Sequence, residues 1–516
     1  MRCGASRRPF LAMNDANHTR FAVPPVSGLV PPLRIADLAL SRAAGAPPTE
    51  GNGVRLLRDA TQNFPAWKDA LAAARQSILF EMYIFENDTV GREFVSILAD
   101  RARAGVRVFV LVDWLGSWHG LSVWAPVRDA GGCVRVFNPP HVASPLGWLV
   151  RDHRKTIVVD GETAFVSGLC VSDRWLGDPA HRHEAWRDTG IEIRGPAVRP
   201  IERAFASVFA LSGEALPDGV IPSDEPPPAG DMRVHVVANE PSVAGTFRMD
   251  LLVAAIARQN LWLTDAYFVG TTPYVQALCS AARDGVDVRL LVPGSSDIPA
   301  LSVLSRAQYR PLLEAGVRVF EWAGTMLHAK TAVADGRWAR VGSTNLNLAS
   351  WMSNYELDAA IENRAFAEEM SALYVEDLER SVEIVLSGRR VRRAEQRPVS
   401  PAPGAVPARL RRSATGSAAR AAAGAVSVGS ALGAALTNRR LLGPAEAGLL
   451  FIMAIVAGAV GMVAAVWPRV LAWPIAVITI WMGIAWAVKG FQVRKGKTGT
   501  APRPEPIARI DEVREK

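Results

Sequence analysis

Apolar residues fall in short, nearly unbroken runs that alternate with helical patterns, and the alternation occurs twice. Residues 73–85, AARQSILFEMYIF, begin as a helix end and continue as an apolar strand; residues 256–269, IARQNLWLTDAYFV, do the same. Residues 101–113, RARAGVRVFVLVD, and 281–293, AARDGVDVRLLVP, each read as a helix C-terminus, a glycine stop and a nearly continuous apolar strand. CVRVF at 133–137 is matched by GVRVF at 316–320. Strands without a polar face, alternating with helices, predict α/β units around buried sheets. Two such units fit, at residues 51–221 and 231–387, divided by a Pro-rich linker at 222–230. Residues 1–50 are rich in Pro and Ala and are expected to be loosely ordered.

A different pattern follows. Residues 447–467 run 21 positions without a charge and residues 470–488 run 19. Each approaches the ~20 residues that a helix needs to cross ~30 Å of hydrocarbon. Pro474 falls in the first turn of the second run, where its missing N–H costs least. Only Pro468 and Arg469 separate the runs, so residues 441–490 are expected to form a transmembrane helical hairpin. Buried core helices are the alternative, but core helices of this length usually keep a polar face. Arg439, Arg440, Lys489, Arg494, Lys495 and Lys497 flank the open ends, and Arg469 alone sits at the turn. The positive-inside rule then puts the open ends and the large body in the cytoplasm. Residues 388–440 read as a basic Pro/Ala-rich linker, and 491–516 as a basic cytoplasmic tail.

Composition narrows the choice of function. The 516 residues are 49% hydrophobic and 21% charged, which excludes a wholly disordered chain. The four cysteines are too scattered for a zinc ribbon or a disulfide framework. Arg7 and Arg8 have no apolar run behind them, so the N-terminus does not read as a secretory signal. The net charge of +8 divides unevenly: residues 388–516 hold 20 basic and 6 acidic residues, +14, which leaves −6 on the rest. An acidic body with a basic, apolar tail argues for an anionic membrane surface and against nucleic acid.

The chemistry sits at the end of each half. His153-Arg154-Lys155, with Asp160, and His328-Ala329-Lys330, with Asp335, are two copies of HxKx4D at equivalent places in the repeat. Arginine is the default cation, at 51 of the 58 basic residues, yet only three lysines precede Lys489 and two of them are Lys155 and Lys330. Those sites call for a compact ammonium. In a strand, positions i and i+2 share a side, so each histidine is expected to point with its lysine. If the halves pair about a pseudo-twofold axis, two imidazoles and two ammoniums converge on one pocket. Lysines there would neutralise phosphodiester oxygens while one histidine attacks phosphorus and the other protonates the leaving alcohol. That chemistry needs no cofactor, and no metal-ligand spacing is present. Asp160 and Asp335 complete the motif and are grouped with its catalytic residues, although strand parity, if no turn intervenes, makes them scaffolding that faces away.

Together with MYIFENDTVGREF, LVDWLGS, WRDTGIEIRGPAV, GSTNLN and SNYELD, the two motifs give a resemblance over about 51–386. The chain resembles the phospholipase D superfamily and, within it, the bacterial cardiolipin synthase branch. The resemblance implies two tandem α/β/α lobes in a pseudo-twofold body and ping-pong chemistry through a phosphohistidine. It implies His153 as nucleophile and His328 as general acid and base. Lys155, Lys330, Asn345 and Ser343 would bind the phosphoryl group, and Asp188 and Glu356 would hold the Nδ1–H of the histidines. Cys170, in Ser167-Gly168-Leu169-Cys170, departs from the family's pattern by replacing an amide donor. An asymmetric but active site is expected, with Cys170 not the nucleophile.

The expected function is therefore transfer of a phosphatidyl group from phosphatidylglycerol to a second lipid alcohol at the bacterial inner membrane. A hydrolytic phospholipase D would use the same residues, with water as acceptor. A nuclease and an inactive membrane scaffold are weaker alternatives. Apolar residues beside the motifs (144–150 and 322–327, then Trp175, Leu176, Trp351 and Met352) are candidates for acyl-chain contact or for ordinary packing.

Overall fold

The computed structural model describes residues 32–140, 149–177, 184–387 and 390–393, with scattered helical residues between 462 and 487. The chain falls into two units, Met1–Ala39 and Leu40–Lys516. Of the first, only the opening turns of the helix Pro32–Ala44 are described. The apolar stretch 144–148, most of the linker 388–440, most of the hairpin 441–490 and the tail 491–516 lie outside the described residues. Among the described residues no helix is long and apolar enough to cross a membrane.

The first half supplies strands β1 (Pro48–Arg58), β2 (Ser77–Met82), β3 (Arg107–Asp113), β4 (Cys133–Phe137), β5 (Lys155–Val159), β6 (Thr163–Ser167) and β7 (Thr189–Arg194). The second supplies β8 (Met232–Asn239), β9 (Asn260–Thr264), β10 (Asp287–Pro293), β11 (Arg318–Trp322), β12 (Thr331–Ala334), β13 (Trp338–Gly342), β14 (Glu356–Glu362) and β15 (Ser381–Ser387), with β16 (Arg390–Arg393) after it. All sixteen are hydrogen-bonded in one order, and that order is duplicated. Inward from one edge it runs β4-β3-β2-β5-β6-β7-β1; from the other, after β16 and β15, it runs β11-β10-β9-β12-β13-β14-β8. Antiparallel pairing of β1 with β8 joins the halves.

The strands β2, β3 and β10 are buried on both faces almost throughout, which is why they read as continuous apolar runs. Their alternate residues enter different cores. Ile78, Phe80 and Met82 pack with Phe64, Trp67, Phe94 and Leu98 of the helices Asp59–Ala73 and Thr89–Arg103. Leu79 faces a central core built by both halves, with Ile201, Phe205 and Phe209 from one and Leu357, Phe366 and Met370 from the other. A shared core of this kind welds the lobes into one body.

Two expectations need correction. Residues 32–50 are not wholly loose: Leu40, Ala44 and Ala46 are buried in the second lobe's outer core, and Pro48 opens β1. The basic linker does not begin at 388, because Arg390–Arg393 adds a strand to β15. At the β1–β8 junction, buried Asn52 donates to Thr49 O (2.8 Å) and Met232 O (3.2 Å) and accepts from Ala197 N (2.7 Å). The linker is pinned beside it, with Ala229 N donating to Gly51 O at 2.8 Å.

Because β5 is antiparallel to β2, with Lys155 opposite Met82, the residues before β5 gather where the parallel strands β2 and β3 end. The residues before β12 do the same at β9 and β10. Ligands collect at that end of such sheets.

Candidate active site

Each histidine is carried on backbone from the opposite lobe. Asp152 forms a parallel bridge with Tyr355, and Arg187 forms one with Leu327. His153 N donates to Tyr355 O at 2.9 Å, and His328 N donates to Arg187 O at 2.7 Å. The residues after those acceptors are Glu356 and Asp188. His153 Nδ1 lies 2.8 Å from Glu356 Oε2, and His328 Nδ1 lies 2.8 Å from Asp188 Oδ2. Sequence order places Asp188 after His153 and Glu356 after His328, but the structure exchanges them. This exchange, with the shared core, brings both histidines to the seam between the lobes.

An ionised carboxylate only accepts, so each Nδ1 carries the proton and each Nε2 is left with its lone pair. Burial would raise the Asp188 carboxyl, but His328 and Lys330 bring it below its usual range, as does the Trp175 indole N–H. Glu356 is likewise lowered against its burial by His153, Lys155 and the Ser343 hydroxyl. The imidazoles move the same way. Burial, with Lys155 and Lys330 adding to it, pulls His153 and His328 each to about 4 despite their carboxylates. Both ammoniums act on both imidazoles, which is the electrostatic signature of a single site.

Lys155 and Lys330 are buried, and each Nζ donates to the carbonyl of its own histidine, His153 O and His328 O. Each lysine thus reaches back to its own histidine's backbone, and both histidines precede their strands rather than lie within them. Burial and the repulsion of Lys155 lower Lys330 to about 8 against the pull of Asp188 and Asp265.

The motif aspartates stand apart. Asp160 follows the far end of β5, about 16 Å along the strand from Lys155 at ~3.3 Å per residue. Its carboxylate accepts from the backbone N of Arg75, Gln76 and Ser77 at 2.8, 2.7 and 2.9 Å. Asp335 accepts in the same way from Arg258, Gln259 and Asn260. Both have positive φ, 56° and 53°. They latch the turn into β2 and β9, so grouping them with the catalytic side chains does not survive the geometry.

Ser343 also changes place. It was expected on the phosphoryl group, but its hydroxyl donates to Glu356 Oε2 at 2.6 Å and accepts from Leu357 N at 3.0 Å. With one proton to give, it serves the carboxylate. Gly168 is its counterpart in the other lobe, where a Cβ would come 2.2 Å from Asp188 Oδ1. There Trp175 Nε1 takes the serine's role, donating to Asp188 Oδ2 at 2.9 Å. Asn345 is buried, and its Oδ1 lacks a protein partner. Cys170, its counterpart, is fully buried among apolar residues, and burial pushes its thiol up. A thiol held protonated is a poor nucleophile.

Sequence reasoning missed the aromatic walls. The Tyr83 ring lies 4.6 Å from that of His153, and Trp175, Trp186 and Tyr267 lie 5.4, 5.6 and 5.8 Å from His328. A tyrosine shortly before a phenylalanine in both repeats, MYIF and AYFV, was the available signal. Trp175 and Trp351, weighed as mouth residues, are wholly buried. Among the described residues no group of three or more His, Cys, Asp or Glu is placed to hold a metal ion.

The family described as Cardiolipin synthase, PLD-like domain matches residues 67–191 and 252–378, one stretch in each lobe. A cardiolipin synthase of Halalkalibacterium halodurans is 32% identical over 355 residues, covering 66% of this chain and 69% of that protein. Cardiolipin synthase A of Pseudomonas aeruginosa is 34% identical over 369 residues, covering 69% and 74%. Among solved structures, phosphatidylserine synthase of Haemophilus influenzae superposes with a TM-score of 0.53 at 12% identity, over 67% of this chain and 91% of that one. That likeness is one of fold.

Proposed function

Because the chain belongs to the cardiolipin synthase branch of the phospholipase D superfamily, we propose that its cleft joins two phosphatidylglycerol molecules. His153 Nε2 attacks the phosphorus of the first lipid, forming an N–P bond as the bond to the head-group glycerol oxygen breaks. His328, protonated at Nε2 once the anionic phosphodiester is bound, gives that proton to the leaving oxygen, and free glycerol leaves. His328 then takes the proton from a head-group hydroxyl of the second lipid, whose oxygen displaces His153 from phosphorus. The product is cardiolipin, and the histidines return to their starting states.

What supports this reading above all is the exchanged carboxylate pairing: two imidazoles, each with Nδ1 anchored by a carboxylate and Nε2 left for chemistry, with both lysines acting on both rings. Lys155 and Lys330 offset the charge of the phosphodiester and of its crowded transition state. An anionic phosphodiester beside His328 favours the imidazolium, which counters the lowering caused by burial and the lysines. Transfer must outrun hydrolysis. The burial of both histidines, 7% and 3% exposed, behind aromatic walls supports exclusion of water.

The chain is held at the membrane by the apolar hairpin at 441–490, with the body on the cytoplasmic face of the bacterial inner membrane. The two uncharged runs support this, as do the exposed apolar residues Met462, Trp473, Val477, Ile480 and Ile484 among the helical positions described there. The test is the full-length chain in phosphatidylglycerol vesicles, with products read by lipid mass spectrometry. Cardiolipin and glycerol are expected, and neither forms with His153→Ala. Phosphatidic acid as the sole product would make the protein a hydrolase.

A further inference from the structure

Among the described residues, several exposed apolar side chains sit on segments next to the two tyrosines that flank the histidines. Leu115, Trp118, Ile298, Val303, Leu304 and Leu348 are each between 37% and 57% exposed. They belong to segments that touch the walls of the site. Ser117 Oγ donates to Tyr83 O at 2.9 Å and accepts from Phe85 N at 3.0 Å. A Cβ on Gly116 would come 2.2 Å from Tyr83 O, so the loop carrying Leu115 and Trp118 lies directly on the tyrosine that flanks His153. In the other lobe, Tyr267 flanks His328 and donates its hydroxyl to Asp297 Oδ1 at 2.8 Å, next to Ile298. Val303 and Leu304 follow on the helix Pro299–Ala307. Asn347 Nδ2 donates to Tyr267 O at 3.1 Å, next to Leu348. The loops after β3 and β10 hold equivalent places in the duplicated sheet, so both lobes offer apolar side chains at the same end.

Resting on the phosphatidyl-transfer reading, we propose that these six side chains form a docking face that inserts into a phospholipid bilayer around the mouth of the cleft. The energetics of the substrate favour that occupant. Drawing a lipid's two chains into water exposes about 30 methylenes at ~0.8 kcal/mol each, on the order of 20 kcal/mol. The phosphodiester is reached far more cheaply when the cleft descends to it. Two lipids must also enter in turn, and a ring open to the bilayer serves both. Tryptophan and leucine suit the boundary between head groups and chains.

The experiment uses the full-length chain reconstituted in phosphatidylglycerol vesicles with and without brominated acyl chains. Trp118→Phe keeps an apolar ring and removes one indole, so the difference in emission between parent and variant reports Trp118. Bromination is expected to quench that difference by about half or more. A difference emission that bromination leaves unchanged overturns the docking face. A second arm compares substrates. Trp118→Asp combined with Leu348→Asp is expected to slow turnover of long-chain phosphatidylglycerol in vesicles about tenfold, leaving monomeric dihexanoyl phosphatidylglycerol within about twofold. Equal loss on both substrates overturns the proposal, because the substitutions would then act on the site itself. Quenching needs no turnover, so quenched Trp118 in a chain that makes no cardiolipin would support docking and sink the transfer reading alone.

Discussion

His153 and Glu356 lie 203 positions apart in the chain and 2.8 Å apart in the cleft. The contact crosses from one lobe to the other, and His328 with Asp188 makes the reciprocal crossing. Neither lobe holds both a histidine and the carboxylate that orients it. Half of this duplicated body would present an imidazole with no fixed tautomer.

The exchange sets the expected effect of neutralising each carboxylate. Glu356→Gln should impair attack by His153, with kcat falling about 10²–10⁴-fold, as an orienting carboxylate contributes elsewhere. Asp188→Asn should impair protonation of the leaving group by His328. A phosphatidyl ester of p-nitrophenol, whose leaving group needs no proton, should therefore restore phosphohistidine formation in Asp188→Asn and not in Glu356→Gln. Rapid-quench trapping of the phosphoenzyme distinguishes them. Rescue in the opposite variant would mean that His328 is the nucleophile and His153 the acid.

Lys330 should govern the alkaline side of the pH profile. It is held at about 8, so it is charged below that pH and loses its charge as pH rises through it. Phosphate binding then weakens, and KM for phosphatidylglycerol should climb above about pH 8. In Lys330→Arg the guanidinium stays charged at any pH in the assay. That variant should lose the alkaline rise in KM while paying in kcat, because a planar fork does not fit the space of an ammonium. An alkaline rise that persisted unchanged in Lys330→Arg would assign the titration to another group.

Ser343 and Asn345 share the segment GSTN but should fail differently. Ser343→Ala removes a donor from Glu356, and a hydrogen bond to a charged group is worth about 1.5–3 kcal/mol. A tenfold or greater fall in kcat, on the order of that energy, is expected with KM nearly constant. Asn345→Ala removes the amide expected to donate to the phosphoryl group, and should raise KM as well. Steady-state kinetics on both variants separates a residue that orients the machinery from one that holds substrate.

Much of this arrangement could be read from the sequence, and what could not has a physical cause. Strands such as β2 and β10 are buried on both faces, so burial wrote itself into unbroken apolar runs. The scarcity of lysine singled out Lys155 and Lys330 because a compact, dry site is one of the few places where arginine will not serve. The carboxylate exchange was illegible, because sequence spacing favours the nearer partner and only the bridges across the seam, Asp152 with Tyr355 and Arg187 with Leu327, show which lobe is reached. Ser343 looked like a phosphate ligand because a hydroxyl's type does not reveal where its single proton goes. Trp175 looked like a mouth residue because an indole's apolar bulk conceals its N–H, which Asp188 needs.

The loop that delivers Asp188 to His328 should owe its position to Arg187. That guanidinium is 4% exposed and makes a two-pronged contact with Asp377 at 2.8 and 2.9 Å, with a third hydrogen bond to Asp59 at 3.1 Å. Asp377 lies in the last turn of the second lobe's helix Arg364–Glu379, and Asp59 begins the first lobe's helix Asp59–Ala73. One side chain thus ties both lobes to the strand end whose carbonyl receives His328 N. Arg187→Ala leaves Asp377 buried without its partner, a loss of about 3–5 kcal/mol. The double variant Arg187→Leu with Asp377→Leu removes both charges and should recover much of that stability. It should not recover kcat, because the loop loses its two-pronged anchor even when no charge is stranded. Urea midpoints and single-turnover rates on the two variants read stability and positioning apart. Recovery of both together would show that Arg187 contributes to folding alone.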